Sequence, residues 1–134
     1  MNAKGEVMDK QRVDSPYGTS FCESISFDGP GRWIYISGQI GALEDGTMVK
    51  DTFLAEAEQC FARIRQAVEK AGARMEDVVK ITGFVTGTEF YPDYDIARGK
   101  AFEGFPPSSA TVQIAGLVAD ARVEIEAVAF VPAS

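Results

Sequence analysis

The segment from residue 121 to residue 130, ARVEIEAVAF, carries the side chain whose type and position best suit catalysis. Val123, Ile125, Ala127 and Ala129 alternate with Glu124, Glu126, Val128 and Phe130. This is the period of two that a β-strand requires. Because two carboxylates are followed on one face by two apolar side chains, Glu126 is expected at the boundary between a wet and a dry surface. A carboxylate there is held by a polar partner or shifted toward its neutral form, which suits a general acid or base. An exposed glutamate on an edge strand is the simpler alternative.

The sequence contains no histidine, which removes imidazole as a base, as the partner of a nucleophile and as a metal ligand. Ser-His-Asp sites, Cys-His sites and most zinc sites are thereby excluded. Cys22 and Cys60 lack metal-ligand spacing and are interpreted as small core residues. Any reaction must therefore use carboxylates, hydroxyls, backbone groups, arginine and water.

Length and charge restrict the classes of partner. A chain of 134 residues is long enough for one domain with its own hydrophobic core. The formal net charge of −7 and the absence of a basic run argue against nucleic-acid binding. No signal-peptide pattern and no stretch near the roughly 20 apolar residues that span a bilayer are present, so no membrane partner is expected. A reduced, cytoplasmic protein is the simplest interpretation.

Hydrophobic periodicity predicts the element order ββαβαββ. Strands at 21–27 and 32–40 flank the turn sequence DGPG and are expected to form a hairpin. A helix follows, with Thr52 as its N-cap and Gly72 as its stop. The remaining elements are a strand at 77–86, a helix at 88–104 with Ile96, Ala97, Ala101 and Phe102 inward, and strands at 109–114 and 121–131.

This order predicts an α+β domain at residues 16–134, with one sheet and both helices on one of its faces. Residues 1–15 are polar and without a period, and are interpreted as a loose N-terminal arm. Trp33 and Tyr35 fall on the sheet face that the helices leave open. A second copy of the chain would cover that face, so a closed homo-oligomer is expected.

Three further segments carry groups that suit ligand contact. Ser37 and Gly38 end a predicted strand, where the glycine lets a ligand approach the backbone, although a bulge is the simpler interpretation. Residues 105–111, FPPSSAT, combine a rigid proline entry with three hydroxyls, although prolines often only end a helix. Tyr17 lies on a turn between Pro16 and Gly18, where a partly buried aromatic is the simpler interpretation.

In this order the segments resemble the RidA/YjgF family from about Tyr17 to Val131. The matching motifs are SPY at 15–17, ISGQI at 36–40, DVVKITGFV at 77–85, PPSSATVQIAGL at 106–117 and VEIEAVAF at 123–130. The resemblance implies a chorismate-mutase-like α+β fold that forms a homotrimer with its sites in clefts between subunits. It also implies hydrolysis of small enamines and imines, such as 2-aminoacrylate, to a 2-keto acid and ammonia, with no cofactor and no metal.

Carried over by motif, the resemblance makes Glu126 the glutamate that positions the attacking water. The substrate-binding residues are then Tyr17, Ser37, Gly38, Phe102, Ser109 and Thr111, with Thr111 in place of a pocket cysteine. Ser109 stands where the family has an arginine that clamps the substrate carboxylate, and a serine cannot make that bidentate contact. We therefore expect altered substrate choice, toward a neutral or differently anchored substrate.

Two alternatives stay open at this level. Arg98, on the preceding helix, would supply a guanidinium if it reached the cleft, although an exposed helix arginine is the simpler interpretation. The other alternative is that the chain is a non-catalytic trimeric protein that binds a small ligand in the same cleft. Ribonuclease activity, attached to some relatives, is disfavoured by the negative charge and by the missing histidine.

Overall fold

A computed structural model describes residues 10–133, which form one α+β domain. Its elements are β1 (Gln11–Asp14), β2 (Cys22–Ser26), β3 (Gly31–Ile40), α1 (Phe53–Lys70), β4 (Val78–Val85), α2 (Tyr91–Ala101), β5 (Ser108–Gln113) and β6 (Val123–Pro132). Short 3-10 turns precede β4, α2 and β6. Within this range no helix is long and apolar enough to cross a membrane.

Strands β3 to β6 form one mixed sheet in the order β3-β6-β4-β5. β4 and β5 are parallel and connected through α2, whereas the other neighbours are antiparallel. Both helices pack on the same face of this sheet. Ile64 and Val68 of α1 meet Ile81 and Ile125 of the sheet in a core from which water is excluded.

The first helix forms as its sequence predicts. The Thr52 hydroxyl accepts a hydrogen bond from the Ala55 amide at 3.0 Å, which satisfies one free N–H of the first turn. Phe61 and Ile64 lie on the buried stripe. Gly72 follows the helix with a φ of +83°, a conformation that glycine adopts without a steric penalty.

Two predictions at the N-terminal side are wrong. Residues 11–14 form β1, which pairs antiparallel with β2, and only residues 1–9 of the predicted loose arm lie outside the described range. The predicted hairpin of β2 and β3 is also absent from the described pairings, because β3 pairs with β6 instead. The reason is length: β3 and β6 each have ten residues, and their pairing aligns Ile34 and Ile36 with two buried alanines of β6.

The sheet face away from the helices stays open in a single chain. Trp33 and Tyr35 of β3 are 50% and 77% exposed there, as the alternation predicts. Phe27, after β2, stacks on Phe130 with ring centroids 3.8 Å apart and covers one end of this face. The rest of the face carries Lys80, Thr82 and Glu126 and has no cover within the described residues.

Candidate active site

A β-bulge in β3 lies opposite Glu126. The pairing passes from Ile36 opposite Ala127 to Gln39 opposite Ile125, so Ser37 and Gly38 share the single partner Glu126. Bulges of this kind often lie beside active sites, where they redirect side chains. The structure thus brings Ser37, Gly38 and Glu126 together, as the sequence predicts, and their part in catalysis stays a prediction.

A second glutamate lies closer to the bulge than sequence reasoning suggested. A Cβ atom on Gly38 would come within 2.5 Å of Glu124 Oε1, so the glycine leaves the space that this carboxylate occupies. Glu124 is half-buried, whereas Glu126 is exposed. The spacing of two residues already placed both glutamates on one strand face. Only the folded structure shows that Glu124 is the one whose carboxylate lies next to Gly38.

Replacing Gly38 by alanine tests this contact. The new methyl group would displace the Glu124 carboxylate, and a shift of about 1 Å in a catalytic group costs about 100-fold in rate. We expect the imine hydrolysis that the family resemblance implies to slow by about that factor, while the circular-dichroism spectrum stays that of the wild type. An unchanged kcat in Gly38→Ala would show that the position of this carboxylate does not matter.

Ser109 and Thr111 lie on the other face of the sheet. Thr82 of β4 pairs with Glu126 on one side and with Ala110 on the other, which places Ala110 on the open face. The neighbouring residues of β5 therefore point toward the helices. Ser109 accordingly accepts a hydrogen bond from Arg98 Nη1 of α2 at 2.9 Å. One chain alone does not bring Ser109 and Glu126 into the same site.

Arg98 is buried, with 2% exposure, so its interpretation as an exposed helix arginine is wrong. Its guanidinium also donates to Ser20 Oγ, to the Tyr91 hydroxyl and to Asp95 Oδ1. The rings of Phe21, Tyr91 and Tyr94 lie 4.7–5.6 Å from its central carbon. Ile96, predicted to face inward, is instead 56% exposed. Arg98 can face inward because hydroxyls and a carboxylate accept hydrogen bonds from its guanidinium and aromatic rings lie against it.

Two ionisable groups around Arg98 have shifted pKa values. The hydrogen bond from the Ser20 hydroxyl and the charge of Arg98 hold the pKa of Asp95 below its usual range. Burial raises the pKa of Tyr94 to about 12, against the opposite effects of Arg98 and of the nearby Thr111 and Ser109 hydroxyls. The Tyr94 phenol is therefore neutral at neutral pH, and the Asp95 carboxylate is a weaker base than a free one.

Arginine at position 109 would meet this cluster. In Ser109→Arg, a second guanidinium would lie against Arg98, and we expect a loss of stability from like-charge repulsion and crowding. The double variant Ser109→Arg with Arg98→Ser keeps one guanidinium between α2 and β5. It should recover most of the stability that Ser109→Arg loses. Urea denaturation of both variants measures this. A double variant no more stable than Ser109→Arg would contradict the placement of Arg98.

The two aromatic residues proposed for the site have different surroundings. Tyr17 lies on the turn between β1 and β2 with 85% of its surface exposed, where it is free to contact another molecule. Phe102 is 1% exposed and packs edge-on against Phe61 in the core, with centroids 5.7 Å apart. Phe102 therefore lies in the core of the single chain, and its predicted contact with substrate stays a prediction.

The remaining candidates lie at opposite edges of the sheet. The bulge of Ser37 and Gly38 belongs to β3, at one edge. The ribbon of β1 and β2, which carries Tyr17, adjoins β5 at the other edge, where the Cys22 amide donates to the Pro107 carbonyl at 2.9 Å. Residues 10–133 hold no group of three His, Cys, Asp or Glu side chains arranged to bind a metal ion.

Comparison with known proteins gives relatives over nearly the same range. A family model described as endoribonuclease L-PSP matches residues 19–131. The 2-iminobutanoate/2-iminopropanoate deaminase of Dermatophagoides farinae is 36% identical over 99 residues, which are 73% of this chain and 77% of that protein. The protein of the same name in Mus musculus is 36% identical over 106 residues, 73% of each chain.

Solved structures match the fold. RidA from the Antarctic bacterium Psychrobacter superposes with a TM-score of 0.72 at 28% identity, covering 94% of this chain and 99% of that one. A Rid-family protein from Yersinia pestis gives a TM-score of 0.77 at 23% identity over 91% and 98% of the two chains, which shows the fold alone. The predicted α+β, RidA-type fold is confirmed.

Proposed function

Because the chain belongs to the RidA/YjgF family, matched by the endoribonuclease L-PSP model, we propose that it is a hydrolase that deaminates small imines and enamines without a cofactor. The observation that carries the proposal is the half-buried Glu124 carboxylate next to Gly38 at the β3 bulge. Relatives named 2-iminobutanoate/2-iminopropanoate deaminase support the reaction class.

In the proposed reaction a β6 glutamate activates water. Glu124 takes a proton from a water molecule as its oxygen bonds to the imine carbon, and the C=N π electrons move to nitrogen. In the carbinolamine so formed, the carboxylic acid returns the proton to nitrogen. The C–N bond then breaks and ammonia leaves as the carboxylate takes the hydroxyl proton and the C=O bond forms; transfer of that proton to ammonia or solvent restores the carboxylate. A protonated imine carbon is already electrophilic, so general-base help is sufficient and no metal is needed.

A second copy of the chain completes the site in this proposal. Glu124 and the Ser37–Gly38 bulge lie near the β3 edge, whereas Tyr17 is exposed beyond the β5 edge. Joining the β3 edge of one subunit to the β5 edge of the next would bring the two halves together. A homotrimer is the assembly that we propose, and its contact surface would include the exposed Trp33 and Tyr35.

Substrate choice follows from Ser109. No arginine stands at this position, and the Ser109 hydroxyl is engaged by Arg98 on the helix side. A substrate carboxylate would therefore lack a bidentate partner there. A hydrogen bond to a charged group typically contributes about 1.5–3 kcal/mol to binding. We propose that neutral imines are hydrolysed at least as well as imines of amino acids.

The same observation favours the second candidate, a trimeric protein that binds a small ligand without turning it over. Such a protein would keep the open face and the bulge and would need no guanidinium at position 109. The two candidates differ in the product, because only the deaminase releases ammonia.

The test is the lifetime of imines generated in situ by an amino-acid oxidase and trapped by semicarbazide, together with a neutral imine of similar size. The wild-type protein should lower the yield of semicarbazone from both kinds of imine. The decrease for the neutral imine should be at least as large as that for the imines of amino acids. Unchanged yields for both substrates would reject the deaminase, and binding of the substrates without turnover would establish the second candidate.

A further inference from the structure

A cavity of about 510 Å³ opens at the end of the sheet that lies away from the bulge. Its walls include Phe105, just before β5, and Pro132, at the end of β6. Glu124 and Pro132 lie eight residues apart on β6, so roughly 26 Å separate this cavity from the candidate active site. The cavity is therefore a separate feature of the surface.

The charged residues of this cavity are Lys10, Arg12, Arg74, Glu76 and Asp77. Both carboxylates already have partners. Asp77 accepts from Lys10 Nζ at 3.2 Å and from the Arg74 amide at 2.8 Å, and Glu76 pairs with the Arg74 guanidinium at 2.6 Å. Three cations facing two carboxylates leave one positive charge in excess in a protein whose net charge is −7.

Arg12 is the cation without a counter-ion. Its Nε donates to the Pro106 carbonyl at 3.0 Å, and no carboxylate of the described residues forms an ion pair with it. Its Nη2 is buried and has no hydrogen-bond partner among residues 10–133. A buried donor on a charged group is costly to leave unpaired, so such a group indicates a missing partner.

We propose that this cavity binds a small oxyanion, a phosphate or carboxylate group, on the guanidinium of Arg12. The planar guanidinium presents N–H groups that match two oxygens of an oxyanion. Arg12 lines the cavity, so a small shift of its side chain would turn these groups toward a bound oxyanion. Lys10 and Arg74 add positive charge at the rim. The binding site is independent of the proposed deaminase activity, because none of its residues belongs to the bulge or to β6 near Glu124.

Binding there would also stabilise the N-terminal ribbon. Arg12 lies in β1, and its bond to the Pro106 carbonyl already holds β1 against the chain that enters β5. An oxyanion bound only by the folded chain would strengthen this link and raise Tm with ligand concentration.

The experiment is isothermal titration of the full chain with inorganic phosphate and, separately, with acetate, in chloride buffer of matched ionic strength. We expect at least one of the two to bind and to raise Tm, and the stronger of them identifies the ligand class. Arg12→Gln should weaken binding by about tenfold or more, as for the loss of a charge-assisted pair. Arg74→Gln, at an exposed rim position, should weaken it by a few fold.

Arg65→Gln is the matched control, since Arg65 is an exposed arginine that lines a different groove between the helices. It should bind as the wild type does. If Arg12→Gln does not fold, Arg12→Lys keeps the charge and should still lose affinity, because it lacks the planar pair of donors. The proposal is overturned if neither anion binds, or if the Arg12 variant binds with the affinity of the wild type.

Discussion

Glu124→Gln should abolish imine hydrolysis by this protein. The amide keeps the size and the contact with Gly38 but cannot take a proton from water, and general-base help contributes about 10²–10⁴-fold to such reactions. We expect kcat/KM to fall by that factor while KM for the imine changes little. Initial rates of ammonia release over a range of imine concentrations measure both constants.

Glu126→Gln is the matched control for this result. Glu126 lies opposite the same bulge, on the same strand and the same face, but it is exposed, whereas Glu124 is half-buried beside Gly38. Its replacement should leave kcat/KM within a few fold of the wild type. The reverse pattern, with Glu126→Gln inactive and Glu124→Gln active, would restore the assignment that the sequence alone suggested.

Removing the charge of Arg122 should cause the largest loss of stability. Glu56 in the first turn of α1 is fully buried, and its two oxygens accept from Arg122 Nε at 2.7 Å and from the Arg122 amide at 2.8 Å. Arg122→Met would leave a buried carboxylate without its cation, which costs about 3–5 kcal/mol. In a domain of this size we expect Tm to fall by roughly 10 °C or more.

The double variant Arg122→Met with Glu56→Gln shows whether the cost comes from the orphaned charge. The glutamine is neutral and still accepts from the backbone amide of residue 122, so most of the lost stability should return. Thermal unfolding followed by circular dichroism compares the variants. Equal Tm values in the wild type and Arg122→Met, or a double variant no more stable than the single one, would contradict this account of the pair.

The buried pair also positions the candidate catalytic strand. Arg122 immediately precedes β6, and its carbonyl accepts from the Thr86 amide at 3.0 Å after β4 ends. Glu56 thereby ties the start of β6, two residues before Glu124, to the first turn of α1. Because Gly41 lies directly against Glu56, the chain that leaves β3 is packed at the same point.

Local sequence patterns predicted most of the fold. The repeating apolar stripe of α1 and the alternation of β6 are strong because each element buries one continuous face. β1 escaped prediction because QRVD is short, polar and mostly exposed, so its only structural signal is its pairing with β2. Pairing between distant segments leaves no mark within either one.

Only part of the candidate site was predictable from the sequence, namely the three residues at the bulge and not Glu124. Motifs pointed to Ser37, Gly38 and Glu126, which do lie together. The bulge decides which glutamate touches Gly38, and a bulge is a property of two strands in register. Arg98 was misjudged because charged residues usually face water, and only the tertiary structure supplies the hydroxyls and rings that satisfy it.

The most direct test of the central claim is the rate of ammonia release from a small imine in the presence and absence of the wild-type protein. The account predicts release well above the spontaneous rate, proportional to protein concentration and retained in the presence of a metal chelator. Release at the spontaneous rate from both neutral and carboxylate-bearing imines would contradict the assignment of this chain as an imine deaminase.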